Sequence, residues 1–398
     1  MNKRNLLQLA VCSTLAVLAA PAQAINFTQG DWTMDINGTV NAFYTNTDCG
    51  NKAGASQWAT LSACNSGNQT TSIQNGLLPG IISLVATTRQ SDLDIKGHFG
   101  FAPGTSNPSL AGTQRIAGAQ SVGDMRIVYL SFGDKSWGSV KLGRDIGLFQ
   151  QQAILNDMTL LGVGGMAVTA GAINTTTGMI GKGYMYTAFQ PQITYSSPNY
   201  SGFQGSIGVF QPVDIDDYNI HKSPMLQGLA SYDFPASGGM TGKAWASFVN
   251  QSSTKGNPAV AAVAGRSASA SGFELGGKFG IAGFEAMLVG FDGKGIGDAL
   301  LFLNGTDAAG NTQKTQGLLG QLTYKPPGLN TKFGINFGEN KNKDVAGSKN
   351  SAMTLGVYHS LTKSVTLVGE YIDEKTKDSA SPDEANAKTF ALGAILFF

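Results

Sequence analysis

The sequence predicts an all-β protein, a 16-stranded antiparallel transmembrane β-barrel with short periplasmic turns and long outer loops. Three observations carry that expectation. Side chains alternate between apolar and polar in steps of two along most of the chain, the period of a strand with two unlike faces. Charged residues make up only 13%, about half the share of a soluble domain, while glycines number 53 and mean hydropathy is −0.04. A barrel wall produces that blend, because each strand turns half its residues to lipid and half to a wet lumen. The gaps between strands also alternate, short then long, as they do when the two ends of a barrel differ.

Residues 1–24 read as a signal peptide for export through the Sec pathway, leaving one barrel domain over 25–398. Lys3 and Arg4 form a positive n-region, Leu6 to Ala20 an apolar stretch, and Ala22-Gln23-Ala24 a small-residue cleavage site. The apolar stretch is too short to span a bilayer, and Cys12 lies inside it, which argues against a lipid anchor. Removing this segment takes two positive charges from a chain of formal net charge +1. No Lys/Arg stripe remains that could neutralise phosphates, so a nucleic-acid partner is not expected.

The first strand sets Trp32, Met34, Ile36, Gly38, Val40, Ala42 and Tyr44 against Thr33, Asp35, Asn37, Thr39 and Asn41. Aromatics at both ends of the apolar face match a lipid face between interfacial girdles. The polar segment Asp48–Gln74 reads as a loop and holds Cys49 and Cys64, the two cysteines beyond the signal. In an oxidising compartment they are expected to form a disulfide, a free or redox-active pair being the alternative. A metal site is not expected there, since the segment has no His and Asp48 is its only acid. Leu93, Ile95, Phe99 and Phe101 alternate with Asp94, Lys96 and His98. Phe333, Ile335 and Phe337 alternate with Lys332 and Asn336, and Val365, Leu367 and Tyr371 with Thr366 and Glu370. The last strand carries Phe390, Leu392, Ala394 and Leu396 on one face and ends at Phe398. Seven short and eight long gaps join these strands; the longest runs from Asp145 to Pro191. No segment beyond the signal has a helical period.

Nothing in the chain composes an active site, and no cofactor is expected. His98, His221 and His359 are scattered, no Gly-x-Ser-x-Gly elbow is present, and Gly293 to Gly297 is too short for a phosphate loop. Asp214, Asp216 and Asp217 cluster in an outer loop, either as a solvated face or as a cation bridge to lipopolysaccharide. The charges of interest are those on lumen parity. Lys141 alternates against Val140 and Leu142, and Lys96 against Ile95 and Phe99. Arg126 is ambiguous, for Val128 and Leu130 share its register. Asp35, Asp94, Glu274 and Glu370 are acidic candidates for the same surface.

Several segments together resemble the trimeric, 16-stranded Gram-negative porins. Arg126-Ile-Val-Tyr-Leu-Ser-Phe followed by Trp137-Gly-Ser-Val-Lys-Leu-Gly-Arg144 looks like that family's fourth and fifth strands with their turn. Tyr195-Ser-Ser-Pro198 with Ser201-Gly-Phe203 is similar to the sixth strand, turn and seventh strand. Leu355-Gly-Val-Tyr358, Leu361-Thr-Lys363 and Val365 to Tyr371 resemble the penultimate hairpin, and Phe398 the terminal aromatic.

The resemblance implies a water-filled channel for passive diffusion of small hydrophilic solutes, a homotrimer embedded in outer-membrane lipid and lipopolysaccharide. It also implies insertion by the barrel-assembly machinery, which reads the terminal aromatic, and a third outer loop folded inward to narrow the pore. Asp145–Pro191 fits that loop by order and by length. Its composition departs from the family: no Pro-Glu-Phe motif occurs, and Asp145 and Asp157 are the only acids. Gly162-Val-Gly-Gly-Met166 and Thr175-Thr-Thr-Gly-Met179 are neutral and small. With Arg126, Arg144, Lys141 and Lys96 expected at the constriction, the channel should prefer anions weakly. The alternatives are a substrate-specific channel and, further off, an outer-membrane barrel enzyme.

Overall fold

The computed structural model describes residues 25–50, 69–105, 123–166, 175–255, 266–345, 347–377 and 384–398. The expected signal segment and Cys64 lie outside these residues. The strands are β1 (Ile25–Gln29), β2 (Trp32–Cys49), β3 (Gln69–Gln74), β4 (Ile81–Gln90), β5 (Leu93–Pro103) and β6 (Gly123–Asp134). They continue as β7 (Gly138–Ile146), β8 (Phe189–Ser196), β9 (Phe203–Phe210), β10 (Met225–Ser237), β11 (Met240–Thr254) and β12 (Ser267–Ile281). The last six are β13 (Phe284–Lys294), β14 (Lys314–Tyr324), β15 (Thr331–Asn342), β16 (Lys349–Ser360), β17 (Val365–Lys377) and β18 (Ala385–Phe397).

All pairings are antiparallel, and β18 pairs with β2 to close the barrel. Eighteen segments make sixteen wall strands, because two wall strands are each built from two pieces. β2 pairs with β3 along its upper half and with β4 along its lower half. On its other edge β18 covers Thr39 to Cys49, while β1 covers Trp32 to Ile36. The sequence pattern shows neither division. The gap between β3 and β4 exists because Gly76 and Leu77 bond to a lumen loop in place of the ladder. Leu77 N donates to Gly162 O at 2.9 Å, and Gly76 O accepts from Thr176 N at 3.2 Å.

Sheet register confirms the two faces. Leu322, Ile335, Leu355, Tyr371 and Phe390 are directly paired in turn across five strands, and all are exposed outward. The adjoining row, Gln321, Asn336, Thr354, Ile372 and Thr389, faces inward and is buried. A one-residue slip would exchange these rows and put amides into lipid, so burial on both sides fixes the register. Short turns cluster at one end. Gly238 and Gly239 (φ 59° and 78°) join β10 to β11, and Ser91 and Asp92 (φ 46° and 64°) join β4 to β5. Two successive positive φ angles give the turn whose twist matches the flanking strands.

Candidate functional site

The third outer connection, residues 147–188, leaves β7 and returns at β8. Its base is closed by Gly147 N donating to Ala188 O at 2.9 Å. Inside it lies a short helix, α1 (Gln151–Asn156), and a 3-10 turn at Met158–Leu161. Both went unseen in the sequence, since six residues are too few to display a helical period. The loop folds into the lumen, where Ile154, Leu155, Met158, Leu160, Val163, Met166 and Met179 pack on inward residues such as Met287, Leu319 and Tyr358.

A series of wall side chains takes up the loop's backbone donors. Gln227 on β10 accepts from Leu148 N and Phe149 N at 2.8 and 2.9 Å. Ser247 on β11 accepts from Gln150 N at 3.1 Å and donates to Glu274 on β12 at 2.9 Å. Gln321 on β14 accepts from Met158 N at 2.7 Å and donates to Asn156 O at 3.1 Å. On β17, Glu370 accepts from Val163 N and Gly164 N, both at 2.8 Å, and from the Tyr358 hydroxyl at 2.7 Å. Two pleat repeats further, Glu374 accepts from Met166 N and forms an ion pair with Lys182, both side chains fully buried. Buried backbone donors in a loop need such partners, which is why this wall is rich in inward Gln, Asn and Glu.

Asp157 belongs to the same set of anchors. It is buried, accepting from Tyr184 OH at 2.7 Å, Thr159 N at 2.9 Å and Met179 N at 3.2 Å. Burial pushes its carboxyl above the ordinary range, against the pull of those donors. Asp157 therefore braces the loop from within and is not a pore-lining acid. Asp145 is likewise buried and paired with Lys141. Two of the sequence's lumen acids, Glu274 and Glu370, turn out to be loop anchors. Glu374, Gln227 and Gln321 were not singled out in the sequence, where inward parity was their only signal, and Lys182 lies in the loop itself, where no parity applies.

The basic candidates gather on β5 to β7. Lys96 and Lys141 stand either side of Tyr129, with Nζ 5.6 and 4.9 Å from its ring centroid, favourable distances for a cation over an aromatic face. His98 Nδ1 is 3.2 Å from the Tyr129 hydroxyl. Arg126 lies at a β-bulge: Ile127 pairs with Gly100 and Met125 with Phe101, so Arg126 is the extra residue. The insertion resolves the parity conflict. Met125 and Val128 face outward, while Arg126 and Ile127 are buried, and the guanidinium sits 5.7 Å from the Phe189 ring. Arg144 pairs with Val128 and Pro191, on the register of Leu142 and off the lysine face. Its charge is still felt at half-buried Tyr186 in the loop. Burial raises the Tyr186 hydroxyl, and Arg126 and Arg144 pull it back.

Two other loops cover part of the mouth. Tyr186 N donates to Ala299 O at 2.8 Å, and Phe149 and Met185 pack with Ile215, Tyr218, Ile296 and Phe302. The three clustered aspartates are occupied there. Asp216 accepts from Asn304 N and Thr306 N at 2.7 Å, Asp217 faces Lys255 at 3.1 Å, and Asp214 faces His221 at 3.0 Å. No cluster able to hold a metal occurs among the described residues. Cys49 is disulfide-bonded and buried.

A family model described as Gram-negative porin matches residues 10–379. Among solved structures, the outer membrane channel DcaP of Acinetobacter baumannii aligns with a TM-score of 0.68 at 13% identity, covering 93% of this chain and 99% of that one. OmpF of Salmonella typhi aligns at 0.58 with 13% identity, covering 94% and 100%. OmpT of Vibrio cholerae in its trimer form aligns at 0.55 with 15% identity, covering 93% and 100%. No curated protein sequence matches. The chain belongs to the Gram-negative porin family, and it is an outer-membrane channel for passive diffusion.

Proposed function

We propose that this porin passes small hydrophilic solutes with a weak preference for anions, and that it does so as a homotrimer without catalysing a reaction. The observation that carries the reading is the unequal use of charge in the lumen. Asp157, Glu274, Glu370 and Glu374 are buried and consumed by anchoring, whereas Lys96 and Lys141, the latter paired with Asp145, keep part of their side chains exposed beside Tyr129, with Arg126 close by. A fixed positive potential in a narrow, partly dehydrated passage draws anions and is screened by salt over ~10 Å at 0.1 M. Reversal potential in a KCl gradient tests it: anion preference should grow as salt is diluted and fall in Lys96→Gln/Lys141→Gln. Cation preference in dilute salt, unmoved by that change, would sink the reading.

A substrate-specific channel is the second reading. It is favoured by the number of points at which the third loop is pinned, since a rigid constriction can be shaped to one solute. Block of single-channel current by a micromolar to millimolar solute separates it from a general pore. The remaining assignments are residues 1–24 as a cleaved signal, Cys64 as the partner of Cys49, and Phe398 as the mark read during insertion. N-terminal sequencing, thiol labelling of the native protein and deletion of Phe398 test them in turn.

A further inference from the structure

Between the docked third loop and the short turns, the lumen wall carries a second set of lysines. On β11, Lys243 lies four residues from Ser247, and on β12, Lys278 lies four from Glu274; these upper residues hold the loop at Gln150. On β15, Lys332 lies four residues from Asn336, which donates to Asp157 Oδ1 at 3.4 Å. Each lysine therefore sits two pleat repeats, about 13 Å along the strand, to the periplasmic side of a residue that meets the loop. An even spacing also keeps all three on the inward face. Lys243 is paired directly with Lys278, and Lys332 Nζ stands 5.1 Å from the centroid of the Tyr358 ring. Across the lumen the same spacing recurs. Lys141 is four residues below Asp145 at the root of the loop, and Lys96 and Lys141 flank Ser131 in the ladder. Inward lysines on β5, β7, β11, β12 and β15 thus stand in one band around the lumen.

Like charges directly opposite each other across a ladder destabilise the pair, so this band is held against its own repulsion. Its neutralisation is partial. Asp233 is 3.2 Å from Lys243 and Glu285 is 3.4 Å from Lys278, but both carboxylates are exposed, and such pairs hold weakly. Among the described residues no carboxylate lies within ion-pair distance of Lys332. The side chains of Lys243 and Lys278 stay 21% and 30% exposed, in contrast to the buried acids that grip the loop above them. A ring of fixed charge in a pore acts on every ion that passes through it. Resting on the anion reading above, we infer that Lys243, Lys278 and Lys332 complete, with Lys96 and Lys141, a selectivity ring for anions on the periplasmic side of the third loop. The neutral loop sorts solutes by size, and the ring beneath it sorts them by charge.

The test compares the full-length wild type with Lys243→Gln/Lys278→Gln/Lys332→Gln and with Asp233→Asn/Glu285→Gln. Reversal potentials are read in planar bilayers, with a KCl gradient applied in both directions across the same membrane. Charge set to one side of the constriction is screened least when the dilute solution faces it, the Debye length being ~30 Å at 0.01 M and ~10 Å at 0.1 M. The wild type's two reversal potentials should therefore differ in size. The lysine variant should lose about half of the chloride-over-potassium permeability ratio, and most of the difference between directions. The carboxylate variant should raise the ratio. Both should keep the wild type's heat-modifiable migration in SDS; if the lysine variant fails to assemble, the carboxylate variant decides alone. An anion-preferring wild type whose ratio survives the lysine variant unchanged would overturn the ring and leave the anion reading standing, as would a carboxylate variant that moves toward cations. A cation-preferring wild type would overturn both.

Discussion

On β17, Glu370 and Glu374 point into the lumen and are spent on the third loop; on β5 and β7, Lys96 and Lys141 point into the same lumen and stay partly exposed. The two walls have the same alternation and comparable charge. They differ in what covers them. Where loop backbone lies against the wall, inward carboxylates and amides become hydrogen-bond partners and lose contact with solvent. Where it does not, as at Lys96 and at Lys141 with its partner Asp145, part of the charged side chain keeps contact with solvent. Counting charges on lumen parity thus misjudges a pore's field unless the loop's path is known.

The comparison is easiest to break at the buried ion pair. Lys182→Met leaves Glu374 without its countercharge in a water-excluded site, a change expected to cost about 3–5 kcal/mol of docking free energy. The third loop should then become protease-sensitive and conductance should rise while the barrel still resists SDS. An unchanged digestion pattern would show that this pair is not an anchor. Glu370→Gln keeps the shape but weakens the acceptor of two backbone N–H groups, and should cost about 1–3 kcal/mol with the same readout.

Lys141→Gln belongs to the other wall and should behave oppositely. Its side chain is 22% exposed but that of its partner Asp145 only 6%, so losing the lysine leaves a buried carboxylate without its cation and should cost about 1–3 kcal/mol, while the reversal potential moves toward cations. A large loss of stability with no shift in selectivity would erase the distinction between the walls.

The smallest effect concerns pH at the mouth. Asp298, half-buried where loop residues 295–313 meet β15, has its carboxyl raised by burial to about 6 from 3.8. A raised acid binds its proton more tightly in the docked state, so docking is favoured at low pH and weakens as pH rises from about 4 through 6. Relative to the intrinsic base-catalysed rate at each pH, hydrogen-exchange protection of this loop should be greater at pH 5 than at pH 7, and Asp298→Asn should flatten the difference.

How much was legible beforehand follows from the range of each signal. Alternation is a property of neighbours, so the faces at Leu367 or Phe337, the sixteen wall strands and the order of long loops were all readable in the chain. The same period-two logic failed at Arg126, because a bulge is a single extra residue whose presence depends on the partner strand, Gly100–Phe101. It missed α1 because the helix is short, and the break at Asn75–Gly80 because that backbone bonds to Gly162 and Thr176.

By itself the sequence determined a barrel wall, its inside and outside, and the identity of the loop long enough to enter it. These rest on the chain's own periodicity and on the contrast between lipid and water. Only the tertiary structure decided which lumen charges are anchors and which face the pore. Val163 and Glu370 meet across 207 residues of chain, and Lys182 and Glu374 across 192. No local pattern encodes such meetings, because they are set by ladder register and by the path of a loop that must satisfy its own backbone wherever it comes to rest.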